Sequence, residues 1–392
     1  MPGTTTAAPT TTLTEGSTTS TLAPTTTAAP TTTLPATTTT EGVGPVDLPD
    51  DPVCVGVDGG PTGDPELTFV TNGHLWAIDA EFRITCLAEV GSSDTLHWSP
   101  LGDKVVLADG TVHADGTTTA IAAPLLGDVT GWTWPTGRRF LATDGPTFTK
   151  YEADGSGSSD ASIADDHRVL AYHPDGVHFA VYGTAEVEFE EFDENGDIEV
   201  FTAEQTALFI VRNGDPSPHL MIDPIDGEIH DVVFSEDGTR LTFVADHDGV
   251  FHVHSLNLPN MLVETDEDDL LTALVEEVGL LDPQVESSEP MGDLVVDPAD
   301  PWRFLFTDGG SVGMYDVAAD VLVDVLPDLE GRPLGFLDSR TAAVLTTDGE
   351  LWIADLVGGG RRFIAEVDSA AVRDVAPDLA LSLVDIVIVG FA

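Results

Sequence analysis

The chain has 392 residues and a formal net charge of −55, with 69 acidic residues against only 14 lysines and arginines. So little positive charge argues against nucleic acid and anionic membrane surfaces as partners, because both require a basic surface that offsets phosphate charge. The length allows two average domains or one large all-β domain. The acidic composition favours solubility and association with cations, and it indicates nothing about catalysis.

Residues 1–50 differ in composition from the rest of the chain. Half of the first 40 are threonine, and the string TTTAAPTTTL occurs at residues 4–13 and again at 25–34. Too few large apolar side chains are present to offset the entropy of ordering, so this segment is predicted to be a disordered stalk. It is either an O-glycosylated spacer or an unmodified linker. No signal peptide is visible before it, and the spacer interpretation places the protein outside the cell or in the cell envelope.

The chain has two cysteines, Cys54 just after the stalk and Cys86 in the first strand-rich unit. Outside the cell they are expected to form a disulfide that ties the entry segment to the body. By loop-closure arguments such a bond contributes about 3 to 4 kcal/mol. The alternative is two buried free thiols. No Cys-x-x-Cys or Cys/His spacing indicates a zinc site.

The body of the chain contains an internal repeat. Residues 231–249, DVVFSEDGTRLTFVADHDG, read as a short apolar strand, a turn, a second β-rich strand and a second turn. Related segments occupy residues 96–110, 130–145, 170–183, 294–309 and 334–349. A third and a fourth strand follow the second turn, most clearly at residues 350–356 and 361–367. Four short antiparallel strands per unit predict the blades of an all-β fold, a β-propeller over residues 51–392.

The two ends of the body are predicted to share one blade. From Glu66 the chain supplies the second, third and fourth strands of a unit, and residues 372–377 supply a first strand. Pairing the two ends closes the ring and removes the exposed edges of an open array. The expected count is seven blades, with six or eight as alternatives because residues 385–392 provide one strand more than the scheme needs. That last strand is too short for a transmembrane helix.

Two insertions interrupt the repeat. Residues 187–202, VEFEEFDENGDIEVFT, have an Asn-Gly centre between alternating flanks and predict a protruding acidic hairpin. Residues 266–281 carry apolar side chains at helical spacing, with acids near the N-terminal end where the helix dipole favours them. This second insertion is predicted to be a short amphipathic helix packed on the propeller rim. The alternative is a helix that docks a partner.

Residues 234–256 read FSEDGTRLTFVADHDGVFHVHSL, and HWSP, YHPDG and LWIAD occur at residues 97–100, 172–176 and 351–355. These segments resemble the repeat of TolB-type, WD-repeat-like β-propellers. The resemblance covers most of residues 66–390 and implies a propeller fold. It also implies a periplasmic or cell-surface scaffold that binds proteins or small ligands. Some members carry a serine peptidase domain, for which this chain has no room.

A nucleophile-elbow pattern, GGSVG, surrounds Ser311. An elbow requires a helix after the serine. Here the β-like sequence MYDV follows, so a hairpin turn is predicted and no catalytic residue is assigned.

The acidic hairpin carries a candidate calcium site, because oxygen-bearing side chains alternate and a glutamate stands near the last position of a twelve-residue calcium loop. The candidate ligands are Asp193, Asn195, Asp197, Glu199 and Glu204. Ile198 occupies the position that requires glycine, so a plain hairpin without metal is the alternative. Calcium is the one cofactor suggested, and none is required.

Three histidines lie close together in the repeat of residues 231–256. His252 and His254 share one face of a predicted strand, and His247 lies in the preceding turn. Imidazoles in this arrangement can bind zinc or copper. The alternative is that they are ordinary surface residues of a blade.

The second turns of the repeats carry a carboxylate in most blades. In a propeller these turns join the second and third strands and emerge on one face of the disc. Asp-Gly suits a tight hairpin because both central positions need positive φ, so turn geometry alone accounts for the pattern. The consequence is still a rim of acids around one mouth of the channel, a candidate site for a cationic ligand or a divalent ion. Its members are Asp109, Asp144, Asp246, Asp248, Asp308 and Asp348.

These patterns predict a non-enzymatic, monomeric β-propeller, secreted or displayed at the cell surface, that binds a protein or a small cationic ligand on one face. Nucleic acid binding and membrane insertion are not expected. The alternative is a propeller enzyme, a lyase or hydrolase with a divalent metal at the channel mouth. Histidines and carboxylates clustered on the channel at metal-binding distance would favour this alternative.

Overall fold

The computed structural model of the chain describes the body and leaves out both termini. It covers residues 46–373 except for 58–65, 80–81, 92, 94, 115–116, 122–123, 133–136, 145–146, 163–167, 175–177, 193–197, 213–214, 223–227, 236–237 and 259–282. Most of the predicted stalk, the predicted helix and residues 385–392 therefore lie outside the described residues. Within the described part, no helix is long and apolar enough to cross a membrane.

The described residues form seven antiparallel sheets of four strands each. Blade 1 contains β1 (Glu66–Thr71), β2 (His74–Ile78) and β3 (Ile84–Glu89). Blade 2 contains β4 (Leu96–Trp98), β5 (Lys104–Leu107), β6 (Val112–Ala114) and β7 (Thr117–Thr119). Blade 3 contains β8 (Asp128–Trp132), β9 (Arg139–Asp144), β10 (Thr147–Glu152) and β11 (Ser158–Ser162).

Blades 4 to 7 continue the same order. Blade 4 contains β12 (Arg168–Tyr172), β13 (His178–Phe192), β14 (Ile198–Arg212) and β15 (Asp215–Ile222). Blade 5 contains β16 (Glu228–Phe234), β17 (Arg240–His247), β18 (Val250–Asn257) and β19 (Val285–Ser287). Blade 6 contains β20 (Met291–Asp297), β21 (Asp300–Asp308), β22 (Ser311–Asp316) and β23 (Val321–Asp324). Blade 7 contains β24 (Gly331–Phe336), β25 (Thr341–Thr346), β26 (Glu350–Asp355) and β27 (Arg361–Glu366).

The last described strand, β28 (Ser369–Arg373), closes the ring by pairing with β1 as the first strand of blade 1. The register runs from Glu66↔Arg373 to Val70↔Ser369. This pairing confirms the predicted composite blade and the count of seven. The closing strand begins three residues earlier than predicted, because the weakly apolar Ser-Ala-Ala sequence becomes a strand through its partner β1.

A side-chain network fastens the closure to the next blade. The Trp98 indole of blade 2 donates to Thr68 Oγ1 at 2.9 Å, and Thr68 Oγ1 donates to the Ala371 carbonyl of β28 at 2.8 Å. The Arg373 guanidinium lies 4.6 Å from the Trp98 ring centre and donates to the Gly102 carbonyl. The first strand of blade 1 is therefore held from both sides.

The hydrophobic core is divided among the seven seams between neighbouring blades, and each seam holds its own cluster of buried side chains. Leu208 and Ile210 of blade 4 lie in one cluster with Phe243 of blade 5, and all three are fully buried. Burying side chains of this size contributes about 2 to 3 kcal/mol each. Because each seam needs two blades, every blade depends on both of its neighbours.

The two faces of the disc carry different connections. First strands of neighbouring blades contact each other around the axis, so they line the channel. We call the face on which these first strands begin the first face; the turns between second and third strands lie there too. The second face carries the turns between first and second strands and between third and fourth strands. In blade 4 the paired strands extend to Phe192↔Ile198, which carries this acidic hairpin beyond the first face.

The entry segment crosses the closure on the outside of the disc. The Val46 amide donates to the Ile364 carbonyl of blade 7 at 3.0 Å, and the Val55 amide donates to the Cys86 carbonyl of blade 1 at 3.0 Å. Cys54 and Cys86 form a disulfide with their Cα atoms 4.5 Å apart. The segment thus spans the two blades that meet where the ring closes.

We expect the double variant Cys54→Ser/Cys86→Ser to lose about 3 kcal/mol of unfolding free energy, because the disulfide closes a loop of 32 residues in the unfolded chain. Denaturant unfolding measures the change. The wild-type protein under a reductant should match the double variant. Equal stability of the oxidised wild type and the variant would contradict this expectation.

His254 of blade 5 is a half-buried histidine with a lowered pKa. Its ring stacks on Phe243, with ring centres 5.2 Å apart. Burial, and to a smaller extent the neighbouring His252, lower the pKa of His254 from 6.5 to about 4. The folded protein therefore keeps His254 neutral at a pH where the unfolded chain protonates it.

This difference predicts an acid-sensitive stability. Above pH 6.5 both states hold His254 neutral, and as the pH falls from 6.5 towards 4 the unfolded state binds a proton that the folded state does not. His254 should then remove up to about 3 kcal/mol of stability by pH 4. In thermal unfolding followed against pH, His254→Gln should flatten the decline over this range. The exposed His247→Gln serves as the control and should leave the decline unchanged.

Candidate functional site

Bulges shape the inner strands at the channel. In five of the seven blades the register between the first and second strands shifts, which leaves extra residues on the first strand. The shifts lie between Val129 and Gly131, Val169 and Ala171, Ile229 and Asp231, Gly292 and Val295, and Pro333 and Gly335. A bulge bends its strand and re-aims a side chain, and such features are common next to binding sites. Three of these bulges leave the polar residues Thr130, His230 and Asp293 outside the pairing with the second strand.

The inner strands of blades 5 to 7 border a cavity on this face. Its volume is about 690 Å³. The polar and charged residues that line it include His230, Asp231, Asp293, Thr307, Arg332 and Thr347. These positions come from three separate blades, so no local stretch of the chain contains the site.

Asp231 and Asp293 form an acidic pair that lines this cavity, with Asp231 half-buried and Asp293 exposed. Asp231 Oδ1 accepts from the Val232 amide at 2.8 Å, and its Oδ2 accepts from the Leu294 amide of blade 6 at 2.7 Å. Burial raises the pKa of the Asp231 carboxyl, and the nearby Asp293 carboxylate raises it further, against the lowering effect of the two amides. Asp231 therefore joins two blades as well as lining the site.

Asp293 adopts a left-handed backbone conformation, with φ of 50°. This region is uncommon for residues other than glycine, and aspartate tolerates it better than most. Asp293 Oδ2 accepts from Thr307 Oγ1 at 3.1 Å. Its other carboxylate oxygen, Oδ1, accepts no hydrogen bond from the described residues. This carboxylate can therefore bind a cationic group in the cavity.

A positive charge also lies on the channel. Arg332 is exposed at the cavity, and it forms no hydrogen bond or ion pair with the described residues. Burial and then the charge on Arg332 lower the pKa of His97 of blade 2, against the raising effect of the Val129 backbone. Blades 7 and 2 are not neighbours in the ring, so this interaction passes through the channel. The cavity on the first face thus combines acids with Arg332, an arginine unpaired among the described residues.

The six predicted rim carboxylates lie on the second–third turns, outside the inner strands. Asp109 accepts from the Thr111 amide at 2.8 Å, and Asp246 accepts from the Gly249 amide at 2.7 Å, so both stabilise their own turns. Asp308 accepts from Ser287 Oγ at 2.6 Å. The carboxylates with no hydrogen bond to the described residues are those of Asp144, Asp248 and Asp348. The rim is therefore distributed over the first face, and the inner strands supply the acids at the mouth itself.

Asp246 is the rim residue with a contact to the cavity. Its Oδ2 lies 3.8 Å from Nε2 of His230, a cavity-lining residue of the neighbouring strand. Asp248 follows in the same turn at φ of 54° and is exposed to solvent. The corresponding turn of blade 6 also adjoins the acidic pair, because Thr307, next to Asp308, donates to Asp293.

The remaining metal hypotheses have different outcomes. Asp193, Asn195 and Asp197 lie outside the described residues, so calcium binding by the hairpin stays a prediction. The register sets Glu204 opposite Glu186, six pairs away from Phe192↔Ile198, so Glu199 is the predicted glutamate next to the turn.

The histidines of blade 5 are paired with other groups. His252 Nδ1 lies 3.6 Å from Glu286 Oε1, and the ring centres of His252 and His254 are 6.2 Å apart. Across the described residues, no three His, Cys, Asp or Glu side chains come together as a metal-binding group. Ser311 begins β22 directly after two glycines with positive φ, and a strand follows it where an elbow needs a helix.

Sequence reasoning missed Asp231, Asp293, Arg332 and His97. A signal was present, because each is a polar residue next to apolar residues in the first strand of a repeat. The sequence could not show that these four residues belong together, because only the bulges and the closed ring bring them to one channel.

No protein-family model and no curated protein sequence matches the chain. Among solved structures, the β-propeller domain of Cps50 (Swd1) from Myceliophteria thermophila is similar at 14% identity and a TM-score of 0.48, over 76% of this chain and 98% of that one. The C-terminal WD40 domain of Sif2 is similar at 13% identity and a TM-score of 0.42, over 79% and 84%. A putative TolB from Agrobacterium tumefaciens is similar at 14% identity and a TM-score of 0.40, over 71% and 96%.

At these low TM-scores, the blade count and the ring closure are established by the chain's own strand pairing. The chain is therefore a seven-bladed β-propeller.

Proposed function

We propose that this propeller is a binding scaffold whose first face captures a basic segment of a partner protein or a small cationic ligand. One observation carries the proposal: the acidic pair Asp231 and Asp293 borders a cavity of about 690 Å³, with rim carboxylates on the turns around it. A concave site with a few convergent polar groups is the usual form of a ligand pocket.

Charge supports this choice of ligand. The whole chain carries −55, and the acidic hairpin of blade 4 extends from the same face. A surface of one sign raises the local concentration of ligands of the opposite sign and speeds their association. Arg332 lies on the channel, so it favours a ligand that carries a hydrogen-bond acceptor in addition to its cationic groups.

The proposal includes a location outside the cell. The Cys54–Cys86 disulfide supports it, because such bonds persist in oxidising compartments. The Thr-rich composition of residues 1–45 also supports it, as expected for a spacer. Identification of threonine-linked sugars on the native protein by mass spectrometry tests this part.

The triple variant Asp144→Asn/Asp248→Asn/Asp348→Asn should bind a fluorescent oligolysine peptide about three- to tenfold more weakly than the wild type, mainly through slower association. These side chains accept no hydrogen bond from the described residues, and asparagine keeps the turn geometry at Asp248. Fluorescence anisotropy at several salt concentrations measures both affinity and salt dependence.

A control of equal net charge is available on the second face. Asp154→Asn/Asp300→Asn/Asp316→Asn removes three acids from turns there and should leave oligolysine binding within about twofold of the wild type. Equal losses for both triple variants would mean that net charge alone governs binding, which contradicts a site on the first face. Asp293→Asn, tested with spermidine, should weaken binding if the cavity itself holds the cation.

A further inference from the structure

The few cations of the chain are concentrated on one face. Eleven of the fourteen lysines and arginines lie at strand ends or turns on the second face. They are Arg83, Lys104, Arg138, Arg139, Arg212, Arg240, Arg303, Arg340, Arg361, Arg362 and Arg373. The first face has Arg168 and Arg332, and Lys150 lies in the middle of β10. Six of these eleven cations pair with acids of the same face, so the arginines without such a partner are the ones of interest.

An exposed phenylalanine marks one part of this second face. Phe82, in the turn between the third and fourth strands of blade 1, is 44% exposed and adopts φ of 60°. A bulky residue in the left-handed region is a backbone outlier, and such outliers cluster at functional sites. The Arg362 guanidinium of blade 7 lies 4.3 Å from the centre of the Phe82 ring. An aromatic ring and an arginine are thus presented together across the seam where the ring closes.

Hydrogen bonds to Asp79 stabilise the turn that contains Phe82. The Phe82 amide donates to the Asp79 carbonyl at 2.8 Å, and the Arg83 amide donates to Asp79 Oδ1 at 2.8 Å. Arg83 Nε lies 2.5 Å from Asp79 Oδ2, and the Asp79 side chain is buried while that of Arg83 is 68% exposed. The carboxylate fixes the turn and leaves the outer part of Arg83 at the surface.

Blade 7 carries a further exposed arginine and an exposed valine in its turns on the same face. Arg340 is 63% exposed and lies 3.7 Å from Asp355, and Val357 in the adjoining turn is 57% exposed. Asp355 accepts from the Val357 and Gly358 amides, which lower the pKa of its carboxyl. The Asp355 carboxylate therefore interacts mainly with the backbone of its own turn.

Two arginines of this region have no carboxylate partner. Arg361 stacks over Trp352 at 5.4 Å and Arg362 over Phe82, and neither forms an ion pair within the part of the chain that the structure describes. Arg362 Nε is buried and makes no hydrogen bond there. In a chain of net charge −55, guanidinium groups without acids are the groups most available to an anionic partner. We call Phe82, Arg83, Arg340, Val357, Arg361 and Arg362 the arginine–phenylalanine surface.

We propose that the arginine–phenylalanine surface docks an acidic segment of a partner protein, with an apolar side chain of that segment placed against Phe82. Arginine pairs with carboxylates through two parallel hydrogen bonds, and arginine and aromatic residues are enriched where interfaces are strongest. A short segment suits this surface better than an extended polyanion. A long polyanion would run beyond the patch onto the acidic remainder of the protein and be repelled.

The overall charge gives the interaction an unusual salt dependence. At low ionic strength the whole protein repels an acidic segment, whereas at about 0.15 M salt the Debye length falls to about 8 Å and the local arginines dominate. Affinity should therefore rise between low and physiological salt and fall at higher salt. Oligolysine binding on the first face should only weaken as salt increases, so the two faces are distinguishable.

The test uses the full chain and a short fluorescent peptide that alternates glutamate and phenylalanine, with a matched peptide carrying glutamine in place of glutamate. At about 0.15 M salt, anisotropy should show that the acidic peptide binds. The glutamine peptide should bind about tenfold more weakly or not at all. Arg83→Gln/Arg362→Gln should weaken binding of the acidic peptide by about tenfold. Arg138→Gln, an arginine that is 74% exposed on the same face of blade 3, should leave it unchanged.

Phe82→Gly separates binding from folding. Glycine adopts the left-handed conformation without strain, so this variant should keep the thermal stability of the wild type while binding the acidic peptide several-fold more weakly. No binding of the acidic peptide, equal binding of the glutamine peptide, or no effect of the Arg83/Arg362 substitutions would each overturn the proposal. Binding of phosphatidylserine vesicles with no binding of the peptide would overturn it as well. Loss of oligolysine binding on the first face has no bearing on these outcomes.

Discussion

The pairing of β28 with β1 is the constraint on which the rest of this structure depends. Five residue pairs join the end of the body to its beginning. Without them, blades 1 and 7 would each lose a neighbour, and a seam that contains Leu67, Phe69 and Ile364 would open to solvent. The Thr68 hydroxyl strengthens the joint, because it links the closing strand to the indole of Trp98 in blade 2. The entry segment and its disulfide cross the same place from outside.

Closure also decides which residues face the channel. Once seven blades form a ring, their first strands converge, and polar residues on them become neighbours although they are far apart in the chain. Asp231 and Asp293 share a cavity, and Arg332 acts on His97 from a blade that is not adjacent. The bulges contribute to this arrangement, because each leaves an unpaired residue on a first strand near the first face.

The cations of the chain lie mostly on the second face, and several of them pair with acids of the same face. Asp-Gly turns join second to third strands on the first face, and in blade 5 both Asp248 and Gly249 have positive φ. Most arginines and lysines begin or end strands on the second face, where their stems cover aromatic rings such as Trp98, Trp352 and Phe82. The two proposed sites lie on opposite faces of the ring, so they would take two different partners.

The sequence by itself determined the repeat, the all-β fold, seven blades and the shared blade, because alternating apolar residues and Gly turns are local signals that each strand carries within itself. It also located the turn carboxylates, such as Asp246 and Asp348. Only the tertiary structure decided that the closing strand begins at Ser369, since Ala370 and Ala371 become strand residues through pairing with β1. The cavity acids and the contact between Phe82 and Arg362 were likewise decided by the ring, because a bulge shifts which side chain points inward and a seam joins residues some 280 positions apart. The physical reason is that these contacts join residues far apart in the chain, so no short segment of the sequence contains both partners.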